Sequence, residues 1–248
     1  MELSKSEIQN IKALKSAHGR KKHQAFVVEG PKMIKELLDS DFKIKQLIGT
    51  DEFFSLNPSL IEESFIRRIK EKELQRISHL STANQVLAVL EYPRPKELSI
   101  SDSDFVLVLD TIQDPGNLGS IIRTADWFGL KQILCSKETA DAFSPKVVQS
   151  SMGSVFRTKI HYCNLAETLS MHRHNMPIYG SLLEGEDIYK TTLEKRGFIV
   201  IGNESKGISE ELKALIQKGL LIPASKGSKT ESLNASVATG ILLSIFSK

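Results

Sequence analysis

Short apolar runs separated by polar turns recur along the whole chain, and their rhythm changes near residue 95. After an amphipathic helix with Ile8, Ile11 and Leu14 on one face, QAFVVEG (24–30) predicts a strand. PKMIKELLDS (31–40) predicts a helix with Pro31 at its permissive first position. KIKQLIGT (43–50) predicts a second strand, 59–64 a helix, 65–69 a strand, 70–77 a helix and QVLAVLEY (85–92) a closing strand. YPRPKELSISDSD then breaks the pattern, stiffened by Pro93 and Pro95. The expectation is a small α/β domain over 1–92, a linker over 93–103 and a second domain over 104–248.

From Phe105 onward the apolar runs FVLVLD, LKQILCS, MPIYGSLL, GFIVIGN and GLLIPAS are short and nearly continuous, as strands of a parallel sheet covered on both faces require. Between them SPKVVQSSMG predicts a helix with Ser144 as N-cap. Ser209 similarly precedes EELKALIQKG, with Gly219 as terminator. The last helix places Val237, Ala238, Ile241, Leu242, Ile245 and Phe246 on one broad side and Leu243 on the other. A helix without a polar face needs burial on more than one side, and a homodimer interface would supply the second.

The 248 residues are 40% hydrophobic and 25% charged, which fits one large or two modest soluble cores. No run approaches the 18 or so apolar residues that cross a bilayer, and MELSKSEIQNIKALK lacks the apolar stretch of a secretory signal, so a cytoplasmic protein without membrane contact is expected. Cys135 and Cys163 are too few for a disulfide framework and read as reduced, buried thiols. The net charge of +3 is unevenly spread. Residues 1–98 hold 17 Lys and Arg against 14 Asp and Glu, whereas 99–248 hold 16 against 16. The sharpest basic cluster is Lys12, Lys15, Arg20, Lys21 and Lys22, with His18 and His23. It could neutralise several nucleic-acid phosphates, although a solvated helix face followed by a polar turn is the simpler reading of charge alone.

Three polar loops after residue 110 carry the candidate chemistry. In DTIQDPGNLGSIIRTADWFG, Asp114-Pro115-Gly116 turns the chain into a helix. Leu118, Ile121, Ile122, Ala125 and Phe128 form its apolar face, and Gly129 ends it. Arg123 lies about 170° from the middle of that face. It is either an ordinary exposed arginine or a group aimed at whatever fills the mouth of the sheet. Trp127, also off the face, suits packing on a partner or another domain better than stacking on substrate. In FIVIGNESKGIS, Gly202 permits close backbone approach, and Asn203 and Glu204 stand at the strand's carboxyl rim, where a plain strand-to-helix turn is the simpler reading. Ile208-Ser209 after Gly207 refuses a Walker phosphate loop. In LIPASKGSKTESLNASVATGILL, Pro223 ends a strand and Ser232 is the expected N-cap of the last helix. His172-x-His174 has no companion ligands, so no metal is expected, and the GxSxG elbow of serine hydrolases is absent.

Taken together, N-x-x-x-x-x-R within DPGNLGSIIRTADWFG, then GNE-x-x-G, then IP followed by SLNASVATG resemble the SpoU (TrmH-type) branch of the SPOUT RNA methyltransferases over residues 104–248. KALKSAHGRKKHQAFVVEG and TANQVLAVLEYP resemble more loosely the beginning and end of that family's L30e-like RNA substrate-binding domain. The resemblance implies an α/β fold whose parallel-sheet catalytic domain carries a deep trefoil knot, a homodimer, and S-adenosyl-L-methionine as methyl donor. It puts the cofactor against Gly202, Ile222 and Leu233, with Leu182 a weaker contact. Asn117, Arg123, Glu204, Ser232 and Asn234 become the catalytic group.

Such an enzyme methylates an RNA ribose 2'-hydroxyl, a poor nucleophile that must be aligned with the methyl group and stabilised as its charge develops. Arg123 suits that role through its fork of donors, ahead of any role as general base. Ser232 and Asn234 would hold phosphate, and Asn117 and Glu204 would orient Arg123 or the ribose. A separate N-terminal module favours rRNA over tRNA as substrate. The chain departs from the family pattern after Pro223: Ala224 stands where methionine is common, and SKGSKTE is longer and more basic than usual. A noncatalytic RNA-binding protein on the same scaffold is the competing reading. A nucleotide-dependent enzyme of doubly wound fold is disfavoured because phosphate-binding motifs are missing.

Overall fold

The computed structural model describes residues 3–246 apart from 59, 61 and 96. The chain divides into two compact units, one of residues 1–94 with 143–156 and one of residues 95–142 with 157–248.

In the first unit α1 (Lys5–Ala13) is fixed by a capping box, in which the Ser4 hydroxyl accepts from the Glu7 N–H and the Glu7 carboxylate accepts from the Ser4 N–H. A short turn leads to α2 (Ala17–His23), which carries most of the basic cluster. β1 (Ala25–Glu29), α3 (Pro31–Leu38) and β2 (Ile44–Gly49) follow as the pattern predicts. α4 (Asp51–Leu56), capped by Thr50, was not legible, because DEFFSL is too short to show a period. Of the helix expected over 59–64, residues 59 and 61 lie outside the described residues, and one turn of 3-10 helix spans Glu63–Phe65. β3 (Ile66–Arg68), α5 (Glu71–Ile77) and β4 (Val86–Glu91) complete a sheet of order β1-β4-β2-β3. Ile11, Leu14, Val27, Ile48, Leu74, Ile77 and Leu87 fill one side of it. Phe26 and Phe42 meet Phe143 and Phe156 in an aromatic cluster, with the Phe26 and Phe143 ring centroids 4.9 Å apart.

The second unit is built on six parallel strands: β5 (Phe105–Leu109), β6 (Gln132–Cys135), β7 (Lys159–Tyr162), β8 (Ile178–Asp187), β9 (Gly197–Ile201) and β10 (Lys218–Leu221). α6 (Pro115–Trp127) follows β5, and α7 (Pro145–Ser151), which packs in the first unit, is capped by Ser144 as expected. β7 and α8 (Leu165–His172) were not anticipated. The strand order is β10-β8-β9-β5-β6-β7. The chain runs outward from β5 through β6 to β7 and then returns to the other side, so β9 lies beside β5. Such a reversal opens a crevice at the carboxyl ends of the two strands, where open α/β sheets bind ligands.

Several expectations are corrected. α9 is only Glu210–Lys213; Gly219 does not end it but sits inside β10, where a Cβ on the facing Gly185 would come within 2.6 Å of the Gly219 carbonyl. The strand pairing claims Lys218 and Gly219 from the expected helix, and 214–217 form a turn between the two elements. The last helix, α10 (Ala235–Phe246), is turned from the expected orientation. Ala235, Ala238, Thr239, Leu242, Leu243 and Phe246 are buried, while Val237 is exposed and Ile241 and Ile245 are half-buried. Cys135 is a buried free thiol, but Cys163 is only half-buried. No helix among the described residues is long and apolar enough to cross a membrane.

Candidate functional site

The first loop is shaped by Asp110, which is buried at the end of β5. One of its carboxylate oxygens accepts from the Ser209 N–H at 2.7 Å and the other from the Thr111 hydroxyl at 3.0 Å. Thr111 takes a left-handed backbone conformation, φ 60°, unusual for a β-branched residue. It is held there on all sides: Ser136 Oγ accepts from its N–H, and its carbonyl accepts from Asn203 Nδ2 at 2.8 Å. Strain of this kind persists only where surrounding structure fixes it. Asp110 and Thr111 therefore join the first loop to the second, a role the sequence reading did not assign to either. The signal was a carboxylate and a hydroxyl ending an otherwise apolar strand.

The second loop closes on itself. Asn203 and Gly207 exchange backbone hydrogen bonds, and Asn203 Oδ1 accepts from the N–H groups of Ser205 and Lys206. A Cβ on Gly202 would lie 2.3 Å from the Gly207 carbonyl carbon and the Ile208 nitrogen. The close approach foreseen at Gly202 is thus made by its own loop.

Three of the five expected catalytic residues meet. Asn117 is held at the start of α6, where its N–H donates to the Asp114 N-cap carboxylate at 2.9 Å. Its side-chain Nδ2 donates to Glu204 Oε1 at 2.7 Å, and its Oδ1 accepts from Asn234 Nδ2 at 2.9 Å. Asn234 Oδ1 in turn accepts from the N–H and hydroxyl of Ser236. A directed relay results, running from the first turn of α10 through Asn234 and Asn117 to a carboxylate, with every amide orientation fixed by a partner. Glu204 Oε2 accepts no hydrogen bond among the described residues.

Ser232 is not the N-cap of α10; Asn234 is, because its side-chain oxygen accepts from the second N–H of the helix. Ser232 and Leu233 are exposed two residues and one residue ahead of that cap. Arg123 is exposed on α6, as its angular position predicts, and makes no hydrogen bond or ion pair among the described residues. Six residues beyond Asn117, it stands about 9 Å further along the helix axis. Of the expected cofactor contacts, Ile222 is half-buried just past the end of β10 and Leu182 is half-buried within β8, while Leu233 keeps 46% of its surface exposed.

In the first unit Lys12, Lys15, Lys21 and Lys22 are exposed, but Arg20 is not. It is buried, and its Nη1 donates to the carbonyls of Leu14 and Lys15 at 2.9 Å, satisfying groups left open where α1 ends. Arg20 thereby braces the basic segment from inside and is withdrawn from its exposed surface. His79 helps it, with Nε2 at 3.0 Å from the Ile11 carbonyl, and burial pushes the His79 pKa down from its ordinary value. No group of three or more metal-ligating side chains occurs among the described residues.

Residues 104–244 match the SpoU rRNA Methylase family and residues 5–88 the MRM3-like substrate binding domain. The chain is 30% identical to the 23S rRNA (guanosine(2553)-2'-O)-methyltransferase RlmP of Bacillus subtilis, over 98% of this chain and 97% of that one. Among solved structures, a proposed RNA methyltransferase of the TrmH family from Porphyromonas gingivalis superposes with a TM-score of 0.90 at 37% identity, covering 99% of this chain and 98% of the other. An AdoMet-bound rRNA methyltransferase from Sinorhizobium meliloti does so with a TM-score of 0.85 at 28% identity, covering 99% and 97%. With well over half of its length matched to one family, the chain belongs to the SpoU rRNA methylases.

Proposed function

We propose that this protein transfers a methyl group from S-adenosyl-L-methionine to a ribose 2'-hydroxyl of RNA, and of ribosomal RNA rather than tRNA. The observation that carries the reading is the Asn234–Asn117–Glu204 relay, which gathers polar groups from three loops at the crevice beside β5 and β9. Full-length likeness to a 23S rRNA methyltransferase favours ribosomal RNA. The apolar faces of Ile222, Leu182 and the exposed Leu233 suit the flat adenine of the donor, and Gly202 offers its backbone. When bound, the donor supplies an activated sulfonium methyl.

The chain's own residues do the rest. Arg123 offers five donors to the 2'-oxygen and the adjacent phosphate, stabilising charge as it develops on oxygen. Glu204, held by Asn117, accepts from a ribose hydroxyl or from Arg123 and so fixes the direction of attack. Ser232 and Asn234 sit where α10 begins and hold a phosphate there.

In this reading residues 1–92 are the RNA substrate-binding domain, with Lys12, Lys15, Lys21 and Lys22 on phosphate; 93–103 form the linker; and 104–248 are the catalytic domain with its C-terminal stretch knotted. The enzyme works in the cytoplasm as a homodimer. The outward stripe Val237, Ile241 and Ile245, together with Trp127 at 85% exposure, is the face that a second copy covers.

The test is transfer of tritiated methyl from labelled donor to ribosomal and transfer RNA from cells lacking the protein. Ribosomal RNA should be labelled, at the ribose, and Arg123→Ala should abolish labelling while folding and donor binding persist. RNA binding without any transfer by the wild-type protein would instead establish a noncatalytic binder.

A further inference from the structure

Between Ile222 and Ala235 the chain leaves the body of the second unit: every residue from 223 to 234 is exposed. The excursion has its own small architecture. Gly227 turns the backbone at φ 87°, the Ser228 N–H donates to the Ser225 carbonyl at 3.0 Å, and the Thr230 N–H donates to Ser228 Oγ at 3.3 Å. Lys226 and Lys229 project from this turn and form no ion pair among the described residues. One end of the loop is anchored in the site, because Asn234 bonds to Asn117 and through it to Glu204. Five residues of chain span at most about 18 Å, so Lys229 stays within reach of that relay.

We propose that the 224–231 loop is an RNA-backbone clamp, in which Lys226 and Lys229 hold phosphates flanking the nucleotide positioned by the relay. The proposal rests on the methyltransferase reading and adds to it a substrate contact inside the catalytic unit, separate from the basic segment of the first. Composition argues for a polyanion over the methyl donor as the loop's ligand. Residues 224–231 include no apolar side chain larger than Ala224, hence nothing to cover an adenine, and their two lysines face one acid, Glu231. Lys206 on the neighbouring loop adds a third cation near the relay.

Each phosphate contact contributes about −0.7 to −0.9 to the slope of log affinity against log salt. The full-length Lys226→Ala/Lys229→Ala variant should therefore bind protein-free ribosomal RNA with a slope shallower by about 1.4 to 1.8. Between about 200 and 50 mM KCl, wild-type affinity should rise about seven- to twelvefold more than the variant's. S-adenosyl-L-methionine affinity, read by calorimetry, should be unchanged. In methyl transfer the KM for RNA should rise while kcat is kept, and Lys226→Arg/Lys229→Arg should restore the slope. A wild-type salt slope in the alanine variant overturns the clamp, as does a loss of donor affinity in step with RNA affinity. Absence of transfer by the wild-type protein would strike the enzymatic reading alone, because the slope is measured without turnover.

Discussion

Asn117→Asp tests the relay with almost no change in shape. The substitution exchanges a donor nitrogen for an oxygen 2.7 Å from Glu204 Oε1, leaving two carboxylates face to face, while the bond from Asn234 Nδ2 survives because the new side chain still accepts. A hydrogen bond to a charged group contributes about 1.5–3 kcal/mol when desolvated. The Asn117–Glu204 pair is half-buried, so about 1–2 kcal/mol is the reasonable loss. If Glu204 must be held in place only as the reaction proceeds, that loss lowers kcat/KM about five- to thirtyfold. The diagnostic feature is pH. Two carboxylates this close raise one pKa, and the shared proton recreates a donor toward Glu204. The ratio of variant to wild-type rate, measured by methyl transfer between about pH 5.5 and 8.5, should climb as pH falls. A ratio that stays flat, or an unimpaired variant at pH 8, would show that the relay is scaffolding unrelated to the chemistry.

Three further outcomes follow from the same geometry. Gly202→Ala places a methyl against backbone at 2.3 Å, a clash that no rotamer relieves; activity should collapse while the protein stays folded by circular dichroism, and a wild-type rate would disprove the packing argument. Val237→Lys puts a charge on the outward stripe of α10 and should convert the proposed homodimer into a 27.6-kDa monomer in light scattering, whereas an intact dimer would locate the interface elsewhere. His79, with its folded pKa lowered by burial, binds protons more readily when unfolded, so its contribution to stability is complete above pH about 6.5 and is lost as pH falls through the folded value. Glu29, raised by burial, acts with the opposite sign, losing its contribution as pH rises through its raised value. Subtracting the melting curve of His79→Gln isolates the histidine: the wild type should lose ground only below about pH 6.5, and a difference independent of pH would refute it.

The framework was legible wherever a single period governed a segment. β5 from Val106 onward and β9 throughout are buried because both faces of a parallel sheet are covered, and the apolar runs FVLVLD and GFIVIGN say so directly. The failures occur where two patterns compete over the same residues. EELKALIQKG reads as a helix ended by Gly219, yet that helix stops at Lys213 and β10 takes Lys218 and Gly219 into the strand expected from GLLIPAS, because pairing with β8 satisfies a whole row of backbone groups. DEFFSL and KIHY are shorter than the window over which periodicity can be counted. The basic cluster misled at Arg20: charge alone cannot separate it from the exposed Lys21, because its guanidinium turns inward to the carbonyls of Leu14 and Lys15 near the end of α1.

The site divides along similar lines. Residue types were legible: an amide after a tight turn, a carboxylate after a buried strand and an amide before a helix are each local signals. Their meeting was not, because Asn117 lies 87 residues from Glu204 and 117 from Asn234, separations over which no periodic pattern reaches. Only the topology brings them together, by returning β9 to the side of β5 so that both loops open at one end of the sheet. The same reasoning explains Ser232 and Asn234. Both are good capping residues, and sequence cannot choose between caps two positions apart. The hydrogen bond to Asn117 does, since a helix beginning at Ala235 presents Asn234 Nδ2 to the first loop while Asn234 Oδ1 closes its own first turn. Capping and assembly of the relay are one event at this residue, so a change that moves the start of α10 should also move the polar group that the proposed chemistry uses.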